Sequence, residues 1–353
     1  MTGKRIRREI RDLPSRDWDN VVNAMWTMKK LSDVDGKRKY GEFFVSYDTM
    51  VAKHISAALD PRGDQAHFGP VLGPFHRAWL LELENSLLSI DARIEALPYW
   101  DYTRDLAPLT SRYTSIFSDQ YFGSYAGQAP DYSVLDGRFA RWPISRNGPS
   151  HGKHNWRNPY GFLRNPISIN KSPYITRNGG SVCGYPMAVG DPTMWDHCLK
   201  VGDSILDWAA CVDSKVHGRA HSSIAGSWRR DGQSLDAPNC AQWYGVIDPP
   251  SSAVWNYNLR GGNSPYPLGT FVSPYALGCF SCPTCELSVN PNNCMCDYAT
   301  SCGPLWSKLR MSSTLRTGSR FIDTSLMSPL APASVIEILG DIGDPAGSPN
   351  DPM

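Results

Sequence analysis

Of the eight histidines in this 353-residue chain, five fall in two clusters whose spacing suits metal binding. His54, His67 and His76 form the first, and His217 and His221 the second. Imidazole is a borderline-soft ligand for copper, zinc or iron. A lone histidine on an apolar stripe is more often a hydrogen-bonded core residue, but burying five without a common role is costly. His217 and His221 stand four apart, which on a regular helix puts both rings on one face. No His-Glu-x-x-His pattern is present, yet zinc stays open on residue types alone. His151, His154 and His197 read as surface or structural residues, with His151 and His154 at most a weak stray metal site.

The elements that must position these rings are helical. Val21, Val22, Met25, Trp26 and Met28 give helical spacing between Trp18 and Leu31. Phe43, Tyr47, Met50, Val51, His54 and Ala58 predict a second helix with His54 on its apolar stripe. Gly69-Pro70 and Gly73-Pro74 punctuate a loop that holds His67, and Pro74 suits the first turn of a third helix. On that helix His76, Leu80, Leu83, Leu87 and Ile90 share a face, with Glu82, Glu84 and Asn85 expected off it. Residues 106–190 turn to Gly, Pro, Ser, Asn and Tyr without periodicity, an excursion expected to be functional or wrapped on the surface. Asp191-Pro192 begins a second helical region running to about Ser223, with Ile205, Trp208, Ala209, Val212 and Val216 as its stripe. Three imidazoles from two antiparallel helices and their loop can cap one ion. Most tryptophans and tyrosines fit core packing around the helices rather than a substrate platform.

Composition excludes several classes. With 35 basic and 34 acidic residues the net charge is +1, so no global field favours nucleic acid or an anionic membrane. Lys4, Arg5, Arg7 and Arg8 form a broken basic cluster that reads as a solvated strand or helix start. No apolar run reaches the roughly 20 residues needed to span a bilayer. Ten cysteines point to an oxidising compartment, six of them crowded as Cys279, Cys282, Cys285, Cys294, Cys296 and Cys302. Cys183, Cys198, Cys211 and Cys240 make a second even set. Cys282 and Cys285 have zinc-like spacing, but the irregular spacing of the rest favours disulfides. Secretion is therefore expected, with a leader absent from the chain as it stands.

Here the residues become specific. The run from Gln65 through His67, His76, Arg77, Glu82 and Glu84, followed by Leu97-Pro98-Tyr99-Trp100-Asp101-Tyr102, resembles the CuA signature of tyrosinases, catechol oxidases and molluscan-type hemocyanins. Val216 to Gly226, containing His217 and His221, resembles the first half of their CuB signature. The long excursion and the Cys-rich stretch are closest to oomycete and algal tyrosinase-like proteins. The resemblance implies a mainly α fold, a four-helix-bundle core holding a dicopper site, with long irregular loops and a Cys-rich disulfide insert. It implies one domain over 1–353: a CuA half at about 15–105, the excursion at 106–190, a CuB half at about 191–230, the insert at about 276–304, and a C-terminal segment at 305–353.

By that resemblance two copper ions are the cofactor, CuA held by His54, His67 and His76, CuB by His217 and His221. Dioxygen and a phenolic or catecholic small molecule are the expected partners, and o-diphenols, with monophenols as a further class, are oxidised to o-quinones. A hemocyanin-like oxygen carrier or a non-catalytic secreted copper or structural protein is the alternative. The family's third CuB ligand comes from a motif like Asp-Pro-x-Phe-x-x-His-His, and no histidine follows His221. Either Cys279 takes its place in the segment from Ser273, or Ser348 to Met353 begins the motif and the chain is truncated before its histidines; truncation is the expectation. Asp213 stands where related enzymes often carry a water-holding acid. Gly218 replaces an Asn common in monophenol-active relatives, which favours diphenols. Arg77, beside His76, is a candidate for supporting or gating the site. Gln65 stands where many relatives have a cysteine thioether-linked to histidine, so no such crosslink is expected.

Overall fold

In the computed structural model the described residues are 5–58, Ala66, 71–105, 116–125, Gly127, 133–145, 174–177, 181–182, 185–186, 191–217, Ala220, Ile224, 280–281 and 297–298. Helices dominate them. α1 (Ser15–Lys30), α2 (Asp33–Tyr40), α3 (Tyr47–Ala58) and α4 (Leu72–Ile90) precede α5 (Pro192–Lys200) and α6 (Ile205–Cys211). Two antiparallel ladders complete the set, β1 (Ser181–Val182) with β2 (Tyr185–Pro186), and β3 (Phe280–Ser281) with β4 (Asp297–Tyr298).

α1 buries Trp18, Val21, Val22, Met25 and Met28 on the expected stripe. Asp17 in its first turn and Lys29 and Lys30 in its last complement the helix dipole. α2 lacks an apolar period, and composition alone does not announce it. It forms because Ser32 accepts the Asp35 amide as its N-cap and because Gly36 lets the Phe44 ring lie on its backbone. A Cβ on Gly36 would meet that ring at 1.9 Å. α2 then anchors α3, since Asp33 accepts from the Ser46 amide and the Thr49 hydroxyl, each at 2.6 Å. Phe43, expected on the α3 stripe, lies before the helix and is exposed; the next residue, Phe44, enters the core instead.

α1, α3 and α4 pack on one another. The Trp79 indole donates to the Met50 carbonyl at 2.9 Å, tying α4 to α3. The Ser86 hydroxyl donates to the Val45 carbonyl and accepts its amide, tying α4 to the chain entering α3. Lys53 and Glu82 add an exposed ion pair between the two helices.

Two expectations need correction. The described parts of the excursion are not surface wrapping: Ile116, Phe122, Val134, Phe139 and Trp142 are buried in the same core as α1. α1 also bonds the backbone of this segment, its Trp18 and Trp26 indoles donating to the Gln120 and Arg138 carbonyls at 2.9 and 3.0 Å. Large aromatic area outweighs the lack of helical periodicity there.

The burial of Glu84 is the second correction. Glu84 is 2% exposed, and it accepts from Arg5 at 3.0 Å, Arg7 at 2.8 Å and the Leu97 amide at 3.0 Å. Burial alone would raise its pKa, but the bonds from Arg7, Leu97 and Arg5 outweigh it and hold the carboxyl below its ordinary range. Arg5 and Arg7, on the exposed N-terminal stretch, thus reach the buried side of α4 through Glu84. A further network joins Arg11 to Glu9 and Asp105, each at 2.7 Å, beside the bridge between Glu9 and Tyr99.

The second helical region is broken in two. Asp191 caps α5 by accepting the Met194 amide, with Pro192 opening the helix as the sequence anticipates. Gly202, at φ 67°, ends it, and Ser204 caps α6 by accepting the Asp207 amide. The new boundary leaves Ile205 at the start of α6 and exposed rather than on a buried stripe. A disulfide, Cys198–Cys211, links α5 to α6. The other eight cysteines, including the whole crowded set, lie outside the described residues, as does the segment Ser348–Met353.

Candidate metal centre

Three of the five expected histidines are described, and they converge. His54, buried on α3, and His76, half-buried in the first turns of α4, bring their Nε2 atoms to 3.3 Å. Two nitrogens held by one tetrahedral ion at about 2.0–2.1 Å lie about 3.3 Å apart, so this pair has the separation of co-ligands. His76 also donates from Nδ1 to the Leu72 carbonyl at 2.9 Å. A neutral imidazole that donates its Nδ1–H in this way keeps its lone pair on Nε2, facing His54.

His217 approaches from the other half of the molecule, its ring centroid 5.6 Å from that of His76. The rings of His54 and His76 are 5.4 Å apart, so His76 neighbours both of the others. His217 ends a π-helical turn, Val212–His217, that continues α6. A wider turn re-aims the residue that follows it, a device frequent at functional sites. The i, i+4 face expected for His217 and His221 runs on beyond this turn, through residues outside the described set. His67 and His221 lie outside the described residues. Among the described residues no group of three His, Cys, Asp or Glu side chains forms a cluster that would hold an ion by itself.

Aromatic rings wall the histidines. Trp79 lies 5.2 Å from the His54 ring, and Phe75 lies 5.2 Å from His76 and 6.0 Å from His54. Trp79 was legible in principle, being three residues beyond His76 on the same helical face. The Leu72 carbonyl, one turn before His76, follows from the same geometry. Arg77 is exposed on α4, and His197 is exposed on α5 as expected. Asp213 lies in the π turn four residues before His217, but its side chain is outside the described set, and so is Gly218.

The two halves also meet away from the histidines. Tyr102 packs against both hydrophobic cores and accepts a hydrogen bond from the Trp195 indole on α5. Burial, with the Asp101 charge, pushes the Tyr102 hydroxyl up to about 12 against that bond.

The family model for the common central domain of tyrosinase matches residues 45–241, more than half of the chain and all five histidines. The chain belongs to the tyrosinase family. The tyrosinase of Streptomyces antibioticus is 37% identical over 106 residues, covering 28% of this chain and 37% of that protein. The tyrosinase of Streptomyces lincolnensis is 35% identical over 123 residues, covering 31% and 43%. Hemocyanin 2 of Megathura crenulata is 29% identical over 117 residues, covering 31% of this chain and 3% of that protein. Each match thus spans less than half of the relative. A solved polyphenol oxidase of Thermothelomyces thermophila superposes with a TM-score of 0.42 at 16% identity, covering 74% of this chain and 72% of that one.

The donor set fits copper. It is nitrogen-rich, with two Nε2 atoms at co-ligand separation and a third ring presented by a separate element.

Proposed function

We propose that this tyrosinase-family chain is a type-3 copper oxidoreductase that converts o-diphenols to o-quinones with dioxygen. His54, His67 and His76 would hold one copper ion, and His217 and His221 would contribute to the second. The observation that carries the reading is the approach of His54 on α3 and His217 in the π turn to His76 on α4. The names of the related Streptomyces tyrosinases support it at the level of reaction class. When bound, the copper pair supplies the redox chemistry between phenol and dioxygen.

The chain's own residues have three tasks. Leu72 fixes the tautomer of His76, so that its Nε2 is a lone-pair donor before metal arrives. Trp79 and Phe75 pack against the imidazoles, limiting their rotation and excluding water from that side. The π turn aims His217 from the second half, so the site depends on how the two halves dock. Asp213 is proposed as the acid that holds a water near the substrate hydroxyl and takes its proton. Gly218 after His217 favours diphenols over monophenols as substrates. Arg77, exposed beside His76, stands at the rim, where it would meet substrate or gate access. The Cys198–Cys211 disulfide supports an oxidising, extracellular location.

The test is copper loading followed by catechol oxidation, read as quinone absorbance with copper stoichiometry measured in parallel. Expected are bound copper, quinone formation, and a loss of at least about a hundredfold on His76→Ala. Copper bound without quinone would favour the oxygen-carrier reading, to which the Hemocyanin 2 match lends support. No copper bound would sink both.

A further inference from the structure

The second hydrophobic core is small, and both cysteines of the disulfide belong to it. Cys198 and Cys211, both buried, pack with Leu72, Val212 and Val216. Each neighbour leads to a histidine. Leu72 opens α4 and accepts the His76 Nδ1 proton at 2.9 Å through its carbonyl, while its side chain lies in this core. Val212 begins the π turn directly after Cys211, and Val216 immediately precedes His217. One core therefore touches the backbone that sets His76 and the backbone that sets His217. α6 has only seven residues and α5 nine, too short to hold a fixed geometry unaided.

We infer that the Cys198–Cys211 disulfide is a positioning device that sets the separation of the His76 and His217 rings. It couples the α5–α6 pair to the first turn of α4 through Leu72. Its consequence for metal rests on the copper reading given above, but its effect on the π turn does not.

The experiment compares the parent chain with Cys198→Ala/Cys211→Ala, and with Cys198→Ala/Cys211→Val should the first fail to fold. Val134→Ala, in the other core, serves as a control for general destabilisation. Amide hydrogen exchange is read at Val212–His217 and in α1 without metal. Cu(I) affinity is read by competition with a chromophoric chelator, alone and combined with His217→Ala. Expected on removing the disulfide is loss of protection in the π turn with α1 unchanged. Cu(I) affinity should fall by about ten- to hundredfold, with little further loss when His217→Ala is added. Val134→Ala should lower the melting temperature while leaving π-turn protection and Cu(I) affinity at parental values. Unchanged protection and affinity without the disulfide would overturn the inference, and so would an equal affinity loss in Val134→Ala. A parent that binds no Cu(I) would strike the copper reading, and the exchange data would then decide the role of the disulfide alone.

Discussion

Helices α1, α3 and α4 share their core with Trp142, Phe139 and Ile116 from the segment between the halves, and with Trp18 and Met28 of α1 itself. Helices α5 and α6 share theirs with Leu72 and two valines of the π turn, around a disulfide. Both regions perform the same task, which is to hold an imidazole still. The first does it with area, through many large side chains whose loss is distributed over neighbours. The second has little apolar area to offer, and a cross-link closing a 13-residue separation supplies, on the chain-entropy account, about 3 kcal/mol. A short helix pair with a small core can thus carry a ligand with a precision that packing alone would not give it.

The largest effect that would probe this contrast lies in the first region. Trp142 is fully buried against Trp26, Tyr47 and Phe139, with ring centroids 4.6, 5.0 and 5.3 Å away. Trp142→Ala should cost about 3–5 kcal/mol, read by urea denaturation, because it leaves a cavity that rigid helices do not close. A loss under about 1 kcal/mol would mean that the core collapses around the gap, and the distinction between area and cross-link would weaken.

Glu84 gives a smaller effect with a pH signature. Its folded pKa lies below its ordinary value of 4.5, so between the two the unfolded chain binds more protons and stability rises with pH. The contribution is fully present above 4.5 and disappears as the pH falls through the folded value. Glu84→Gln should cost about 2 kcal/mol near neutrality, since Arg5 and Arg7 are a third exposed and water partly replaces their partner. The same variant should flatten the fall in unfolding free energy as the pH drops below 4.5. An unchanged acid slope would assign that fall to other carboxylates, such as Asp33, also held low against burial by bonds from Thr49 and Ser46.

These two residues also mark where the sequence stopped being readable. The helices carrying His54 and His76 announce themselves through apolar spacing, because one face of each is buried against α1 and that need shows in the residues. The Asp191-Pro192 start of α5 is legible because capping is local. Glu84 is not legible: nothing along α4 indicates that Arg5 and Arg7, some 77 to 79 positions earlier, will cover it. Trp142 belongs to a stretch with no period at all, so its burial is a tertiary fact. The π turn is hidden for a third reason. Its residues, Val212 to His217, fit a regular helix equally well, so apolar spacing does not announce the wider turn.

The smallest expected effect concerns the seam between the two regions. Tyr102, from the first, accepts the Trp195 indole proton from the second while touching both cores. Tyr102→Phe keeps the ring and removes one hydrogen bond, so it should cost only about 1 kcal/mol. Because the hydroxyl is pushed up to about 12, it stays protonated across the range in which the protein would be handled. The cost should therefore be flat with pH, unlike that of Glu84. If the halves are coupled chiefly through Leu72 and the disulfide, the variant leaves amide protection in Val212–His217 unchanged. Loss of that protection in Tyr102→Phe would move the coupling from the small core to the seam, and the disulfide would then hold α5 to α6 without holding either to α4.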